Sequence, residues 1–150
     1  MAEDEFVAEW FRYANMDLDT AKYTFETMHP APLEIICFHC QQAAEKFLKG
    51  VLVAFDVEPE KTHDLSKLTA VLKTYLTVPD EFSSFEKTLT QFGVRTRYPN
   101  EISVDESQTK TAISHAQEIK QWAESEIVKI EEAERKTKEE KSSEQENSMK

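Results

Sequence analysis

The sequence predicts an all-α fold, an antiparallel up-and-down bundle of four to five helices. The chain has 150 residues but only 2 glycines and 5 prolines, which leaves little material for the tight turns of β-hairpins. Apolar residues recur three and four positions apart through several long segments, which is the spacing of one helical face. Short connections join these segments, so consecutive helices are predicted to pack antiparallel.

The central element is the segment Leu33–Asp56, which is predicted to be one long helix because it holds no proline and a single glycine. One continuous face of this helix is apolar and is predicted to be buried. That face consists of Leu33, Ile36, Cys37, Cys40, Ala43, Ala44, Phe47, Leu48, Val51, Ala54 and Phe55. The opposite face is polar, but Ile35, Phe38 and Val53 interrupt it. This side is therefore not an ordinary solvated surface, and we expect something to pack or bind there.

The remaining predicted helices flank the central one. The first spans Asp4–Met28, and a third begins with either Thr62 or Asp64 as its N-cap. A fourth opens at Pro79, and the capping-box pattern Ser103–Glu106 starts a fifth. The apolar positions at helical spacing on the third and fourth helices are Leu65, Leu68, Leu72, Leu76, Phe82, Phe85, Leu89 and Phe92.

The domain organisation is predicted to be one helical bundle over residues 1–130, since a chain of this length suits a single core. Residues 131–150 mix charged residues and serine with almost no apolar side chain. Such a composition cannot bury enough apolar surface to order itself by packing, so we expect a frayed or disordered C-terminal tail.

The net charge of −11 argues against a protein that binds duplex DNA. Residues 29–100 nevertheless hold nine acidic and eight basic residues, so this part of the chain can accommodate an anionic ligand. No apolar run approaches the roughly 18 residues that span a bilayer, and the acidic start is unlike a secretory signal. We therefore expect a cytoplasmic protein with no membrane partner.

Cys37 and Cys40 have the CxxC spacing of redox pairs and of half-sites for metal ions. Both fall on the apolar face of the central helix, and the sequence has no second cysteine pair to complete a set of four ligands. We interpret them as core cysteines of a protein in a reducing compartment, and we expect neither a metal nor a cofactor.

The polar face of the central helix carries the candidate binding residues His39, Gln42, Lys46 and Lys49. Ammonium groups can bind phosphate, and an amide can hydrogen-bond the edge of a base. The alternative is a solvated face on which Glu45 and Lys49 form an exposed pair four residues apart, worth only a few tenths of a kcal/mol.

Further candidates lie on other predicted helices. His63 stands at the start of the third helix, where a local capping role is the alternative. Arg95 and Arg97 precede Tyr98; arginine grips phosphate bidentately, and a tyrosine ring can stack on a base. The alternative for these three is favourable charge at a helix C-terminus beside a partly buried tyrosine. We expect these residues and the polar face to converge on one groove that binds a nucleotide or another small phosphorylated anion.

Three pieces of the sequence resemble the HEPN family (higher eukaryotes and prokaryotes nucleotide-binding). They are FHCQQAAEKFLKG at 38–50, THDL at 62–65 and RYP at 97–99, in the family's order, and the resemblance spans residues 6–130. The resemblance implies a nucleotide-binding or interaction module that acts with a separately encoded nucleotidyltransferase. It also implies pairing through helical faces, so we expect a homodimer in which Ile35, Phe38 and Val53 supply the apolar surface. The chain carries no nucleotidyltransferase signature of its own, so any transferase chemistry must come from another polypeptide.

Ribonuclease members of the HEPN family carry an arginine followed four to six residues later by a histidine. Neither Arg95 nor Arg97 has a histidine at that spacing. The imidazole needed for acid–base cleavage of RNA is therefore missing from the motif, and we expect no metal-independent cleavage of RNA above background. The alternative is a ribonuclease toxin of a toxin–antitoxin pair with an altered active site, in which His39 or His63 supplies the imidazole.

Overall fold

The computed structural model describes residues 2–93 and 103–149 and contains five α-helices in that part of the chain. They are α1 (Ala2–Thr27), α2 (Leu33–Ala54), α3 (Leu65–Leu72), α4 (Phe82–Thr90) and α5 (Glu106–Ser148). No strand occurs among the described residues. The prediction of an all-α bundle is therefore confirmed.

Helix α2 lies at the centre and contacts each of the other four helices. Its predicted apolar face is buried from Ile36 to Val51, whereas Leu33, Ala54 and Phe55 at the helix ends are only partly buried. The rings of Phe47 and Phe11 meet edge to face, with centroids 5.4 Å apart. Helix α1 runs antiparallel to α2. It also runs antiparallel to α5, because Lys22 near its end bonds Gln117 while Phe25, one turn later, lies near Glu106 at the start of α5. This arrangement leaves one side of α2 facing away from α5, and the polar residues lie there.

The helix boundaries follow local capping. Asp64, not Thr62, caps α3: its Oδ1 accepts a hydrogen bond from the Ser66 amide at 3.0 Å. The capping box of α5 is formed by Asp105 and Gln108, so its assignment to Ser103–Glu106 is wrong by two residues. Asp105 accepts from the Gln108 amide at 2.7 Å, and the Gln108 side chain accepts from the Asp105 amide at 2.9 Å. This reciprocal pair satisfies two backbone donors that would otherwise lack partners.

Two predicted helices end earlier than expected. Helix α3 stops at Leu72 and α4 at Thr90, so Leu76 and Phe92 lie in the following turns instead of on the helices. Phe92 is still buried, which shows that the apolar periodicity identified a core position even where the backbone leaves the helix.

The C-terminal region differs from the expected frayed or disordered tail, because α5 continues to Ser148. Residues 131–148 are exposed apart from a partly exposed Glu134, so this extension leaves the bundle. The segment is rich in glutamate, lysine and arginine, which have high intrinsic helix propensity, and this composition supports a helix that makes no core contact. Within the described residues, no helix has the length and apolar character that crossing a bilayer requires.

Candidate functional site

Two groups of polar side chains line the side of α2 that faces away from α5. The Asp17 cluster comprises Asp17 of α1 with His39 and Lys46 of α2. The Glu45 cluster comprises Gln41, Glu45 and Lys49 of α2 with His63 from the loop before α3. Each cluster is organised around one carboxylate that binds one histidine and one lysine.

In the Asp17 cluster, one carboxylate oxygen of Asp17 lies 2.9 Å from Nδ1 of His39. The other oxygen accepts a hydrogen bond from the ammonium group of Lys46. Burial raises the pKa of the Asp17 carboxyl, but the hydrogen bonds from His39 and Lys46 together outweigh burial, so the pKa lies below its ordinary value. Asp17 is therefore held as an anion between His39 and Lys46.

In the Glu45 cluster, Oε2 of Glu45 accepts a hydrogen bond from Nζ of Lys49 at 3.0 Å, and Oε1 lies 2.7 Å from Nδ1 of His63. The side chains of Glu45 and Lys49 are only 5% and 9% exposed. The interpretation of this pair as an exposed surface pair is therefore wrong. Helix α1 covers it, and the Lys49 ammonium lies 5.8 Å from the ring centroid of Trp10.

Gln41 and Gln42 connect the cluster to its surroundings. The fully buried amide of Gln41 donates to Oε1 of Glu45 at 3.1 Å and to the backbone carbonyl of His63, also at 3.1 Å. Its own oxygen accepts from the amide of Gln42 at 2.7 Å. The donors and the acceptor of the Gln41 amide are thus all engaged, which fixes the geometry of this buried network.

Both glycines of the chain stand where a side chain would collide with this region. A Cβ at Gly50 would lie 2.6 Å from the ring of Phe11 and 3.2 Å from Cβ of Trp10. A Cβ at Gly93 would lie 3.0 Å from Cδ of Gln41. Gly50 therefore lets α1 approach α2 next to Lys49, and Gly93 lets the end of the α4 region approach Gln41.

The structure brings five of the predicted site residues to one side of α2: His39, Gln42, Lys46, Lys49 and His63. The imidazole of His63 contacts Glu45, while the cap of α3 is Asp64, so the capping alternative for His63 does not hold. The other three candidates, Arg95, Arg97 and Tyr98, lie outside the described residues, and the role assigned to them stays a prediction.

The sequence analysis missed three contributors: Asp17, Gln41 and Trp10. Asp17 lies directly before the buried Leu18 and three residues after the buried Ala14. An acidic residue at the edge of the buried face of α1 is the sequence pattern that could have identified Asp17 as a site residue. Gln41 lies on the polar face of α2 and within the motif at 38–50, but its contacts, like those of Trp10, depend on how closely the neighbouring helices approach α2.

The chemistry of the arrangement is that of two carboxylate–histidine pairs. An ionised carboxylate at Nδ1 holds the imidazole with its proton on that nitrogen and leaves Nε2 to accept a proton or a hydrogen bond. His63 is 48% exposed, so its Nε2 side is accessible to a ligand. The two lysines are balanced by the two carboxylates, so the described part of the site is close to neutral when both histidines are neutral.

Cys37 and Cys40 take no part in this site. Both are free thiols buried in the core, and the Cys37 thiol donates to the hydroxyl of Thr109 over 3.6 Å. Burial raises the pKa of both thiols, which makes them poor nucleophiles. Among the described residues, no group of three or more potential ligand side chains is arranged to hold a metal ion.

The fold and the site define a class of small helical-bundle domains whose polar site lies on the central helix. The HEPN domain family matches residues 7–127, and the chain belongs to that family. Two solved structures are similar to it. TT1696 from Thermus thermophilus shares 25% identity and a TM-score of 0.71 over 80% of this chain and 97% of its own. ST0689, an archaeal HEPN homologue, shares 25% identity and a TM-score of 0.63 over 81% of this chain and 97% of its own. No curated protein matches the chain.

Proposed function

We propose that this chain is a non-catalytic nucleotide-binding or interaction module of the HEPN family that acts in the cytoplasm with a separately encoded nucleotidyltransferase. The observation that carries the proposal is the pair of nearly buried carboxylates, Asp17 and Glu45, which hold two lysines and two histidines along one side of α2. Groups held in place before the ligand arrives lose less entropy on binding than mobile surface side chains.

Lys46, whose side chain is 24% exposed, can bind phosphate without leaving its carboxylate, while the nearly buried Lys49 holds Glu45 in place. An ammonium group has three donors, and each carboxylate uses one of them in Lys46 and Lys49. Because the carboxylates balance the lysine charges, a phosphate needs further cations for tight binding. In this proposal Arg95 and Arg97 supply them, since they follow Gly93 by two and four residues and Gly93 packs on Gln41. Tyr98 then offers a ring for stacking on the base.

Titration calorimetry with ATP and GTP at low salt tests the ligand. We expect binding in the millimolar range or tighter that weakens as salt rises, because phosphate contacts are screened. Replacing Lys46→Ala or Arg97→Ala should weaken binding about tenfold, the loss expected for a charge-assisted hydrogen bond. Lys129→Ala, a change at an exposed lysine of α5, is the matched control and should leave affinity unchanged. The proposal fails if neither nucleotide binds in the millimolar range.

The proposed partner is tested by co-expression. The chain has no nucleotidyltransferase signature, so any transfer chemistry in its complex must come from another polypeptide. We expect a small nucleotidyltransferase encoded beside this chain to co-purify with it through size exclusion. Separate elution of the two proteins at micromolar concentration would refute the partnership.

We also propose a homodimer. Ile35 is 49% exposed, and Phe38 and Val53 are half-buried, so the second apolar surface of α2 remains partly uncovered in the single chain. Covering exposed apolar side chains stabilises association, and isologous pairing of one surface is the commonest arrangement of homo-oligomers.

A second candidate function is a ribonuclease toxin with an altered active site, and the contact between Glu45 and His63 favours it. A histidine oriented by a buried carboxylate is the arrangement that general acid–base catalysis uses. The non-catalytic proposal predicts no metal-independent cleavage of single-stranded RNA above background. Cleavage that disappears in both His63→Ala and Glu45→Gln, with circular dichroism showing that both variants fold, would replace the first proposal with this one.

A further inference from the structure

An aromatic groove lies on α1 beside the polar site. It is lined by Phe6, Glu9, Trp10 and Tyr13 of α1 and by Lys46 of α2, and it encloses about 310 Å³. Phe6 and Tyr13 stand two helical turns apart with Trp10 between them, so the three rings share one side of the helix. The groove therefore offers aromatic walls with a single ammonium group at its inner edge.

Packing in the hydrophobic core does not explain why aromatic residues stand at these positions of α1. Helix α1 packs inward through Val7, Ala14, Leu18 and Ala21, which are buried. Phe6 and Tyr13 lie outside that stripe and are 62% and 48% exposed. Exposed aromatic side chains that line a concavity are typical of surfaces that bind a ligand or a partner.

The groove adjoins the polar site through two contacts. Lys46 belongs to both, since it lines the groove and bonds Asp17. Trp10 lines the groove and lies near the Lys49 ammonium on its other side. The close approach that Gly50 permits between α1 and α2 is what sets the rings beside the lysines. A ligand whose phosphates reach Lys46 would have its remaining part next to these rings.

The outer rim of the groove carries a further cation. Arg12 is held by Glu9 through hydrogen bonds of 3.0 and 3.1 Å, and its guanidinium lies 4.7 Å from the ring centroid of Tyr13. Aromatic walls thus lie beside two cationic groups, Lys46 and Arg12, each of which is paired with a carboxylate. This pattern complements a planar base that carries an anionic substituent.

We propose that this groove binds the base of the nucleotide whose phosphates contact Lys46 of α2. The inference rests on the proposed function and deepens it: the base lies on the rings of α1, and this placement replaces the stacking on Tyr98. The volume of the groove is at the lower end of the range for small-molecule sites, which suits a base. Stacking on aromatic rings is tolerant of base identity, so purine nucleotides of both kinds bind here.

Trp10 provides a direct reporter. The chain has two tryptophans, and Trp122 packs edge-on against Phe82 with ring centroids 5.3 Å apart, on the side where α4 meets α5. In a Trp122→Phe background the fluorescence comes from Trp10 alone. We expect ATP and adenosine to change this fluorescence at saturation and inorganic triphosphate to leave it unchanged, because only the first two place a ring in the groove.

Variants of the groove distinguish binding of the base from binding of the phosphates. Phe6→Ala and Tyr13→Ala should each weaken ATP and adenosine binding about tenfold while affinity for inorganic triphosphate stays within about twofold. Tyr23→Ala changes an exposed tyrosine of the same helix outside the groove and should leave all three affinities unchanged. Because the replaced rings are exposed, these variants are expected to fold, and circular dichroism checks this.

The outcomes distinguish the two proposals. If ATP binds but both groove variants bind it normally, the base site is refuted and nucleotide binding stands. If neither ATP nor inorganic triphosphate binds, the proposed function fails and the base site fails with it. If Phe6→Ala and Tyr13→Ala lower the light-scattering mass and leave nucleotide affinity intact, the groove belongs to an interface between copies of the chain and the base site is refuted.

Discussion

Oε1 of Glu45 lies 2.7 Å from Nδ1 of His63, although the two residues are 18 positions apart and belong to different elements. This contact joins the central helix to the loop before α3. Because the carboxylate also holds Lys49, a single nearly buried side chain connects three parts of the fold: α2, the loop before α3 and, through Lys49, the ring of Trp10 on α1.

Glu45→Gln should lower the free energy of unfolding by about 3 kcal/mol, since it leaves the Lys49 ammonium buried without its counter-charge. Urea denaturation measures the effect. Glu124→Gln is the matched control, because its pair with Lys120 is longer and more exposed, and it should change stability by less than about 0.5 kcal/mol. Equal effects of the two changes would contradict the assignment of Glu45 as the centre of the cluster.

Asp17 should make the free energy of unfolding depend on pH in the acidic range. Its pKa in the folded protein lies below the ordinary 3.8, so the unfolded state binds more protons between those two values. The stabilisation by Asp17 is complete above the pKa that its carboxyl has in the unfolded state. It is lost as pH falls through the lower pKa of the folded state. Asp17→Asn should therefore reduce stability by about 1–3 kcal/mol near neutral pH and converge with the wild type in strong acid. Denaturation at several pH values checks this, and a difference that stays constant with pH would contradict it.

Gly50→Ala should destabilise the protein even though alanine favours helices by about 1 kcal/mol over glycine. The added Cβ would meet the Phe11 ring at 2.6 Å, and overpacking of this kind costs about 1–3 kcal/mol. The same change in a Phe11→Leu background should be neutral or stabilising, because the ring is gone. If Gly50→Ala stabilises the otherwise unchanged protein, the close approach of α1 is not required.

The homodimer predicts a light-scattering mass near twice the 17.4 kDa of the chain at micromolar concentration. Ile35→Asp should yield the single-chain mass, because a buried unpaired carboxylate at the interface opposes association. Val71→Asp on α3 places the same charge at another exposed apolar position and should preserve the dimer. A single-chain mass for the unaltered protein would refute the homodimer.

Helical periodicity was enough to predict the bundle, because apolar residues recur every three to four positions on the buried face of each helix. The apolar face of α2 and the core position of Phe92 were found in this way. The end of α4 before Phe92 was not predicted, since turn geometry depends on local hydrogen bonds that periodicity does not encode. The capping box was predicted two residues too early for a similar reason. Asp105 and Gln108 can form the same pair of hydrogen bonds as Ser103 and Glu106, and the sequence pattern does not distinguish the two pairs.

The site was predictable only in part. The polar side of α2 was identified from spacing, and the family resemblance added His63. The burial of Glu45 and Lys49 was not predictable, because it depends on how closely α1 covers α2. That distance is set by Gly50 and Phe11, which lie 39 positions apart in the sequence. Asp17 escaped notice because its partners are all on another helix.

The unsupported end of α5 has a hydrodynamic consequence. At 1.5 Å per residue, residues 131–148 form a rod about 27 Å long, whereas a compact domain of 130 residues has a radius of gyration of about 14 Å. Such an appendage increases frictional drag far more than it increases mass. A single chain will therefore leave a gel-filtration column ahead of globular standards of equal mass and will resemble a dimer by elution volume. Truncation after residue 130 should remove the anomaly without changing the number of chains per particle.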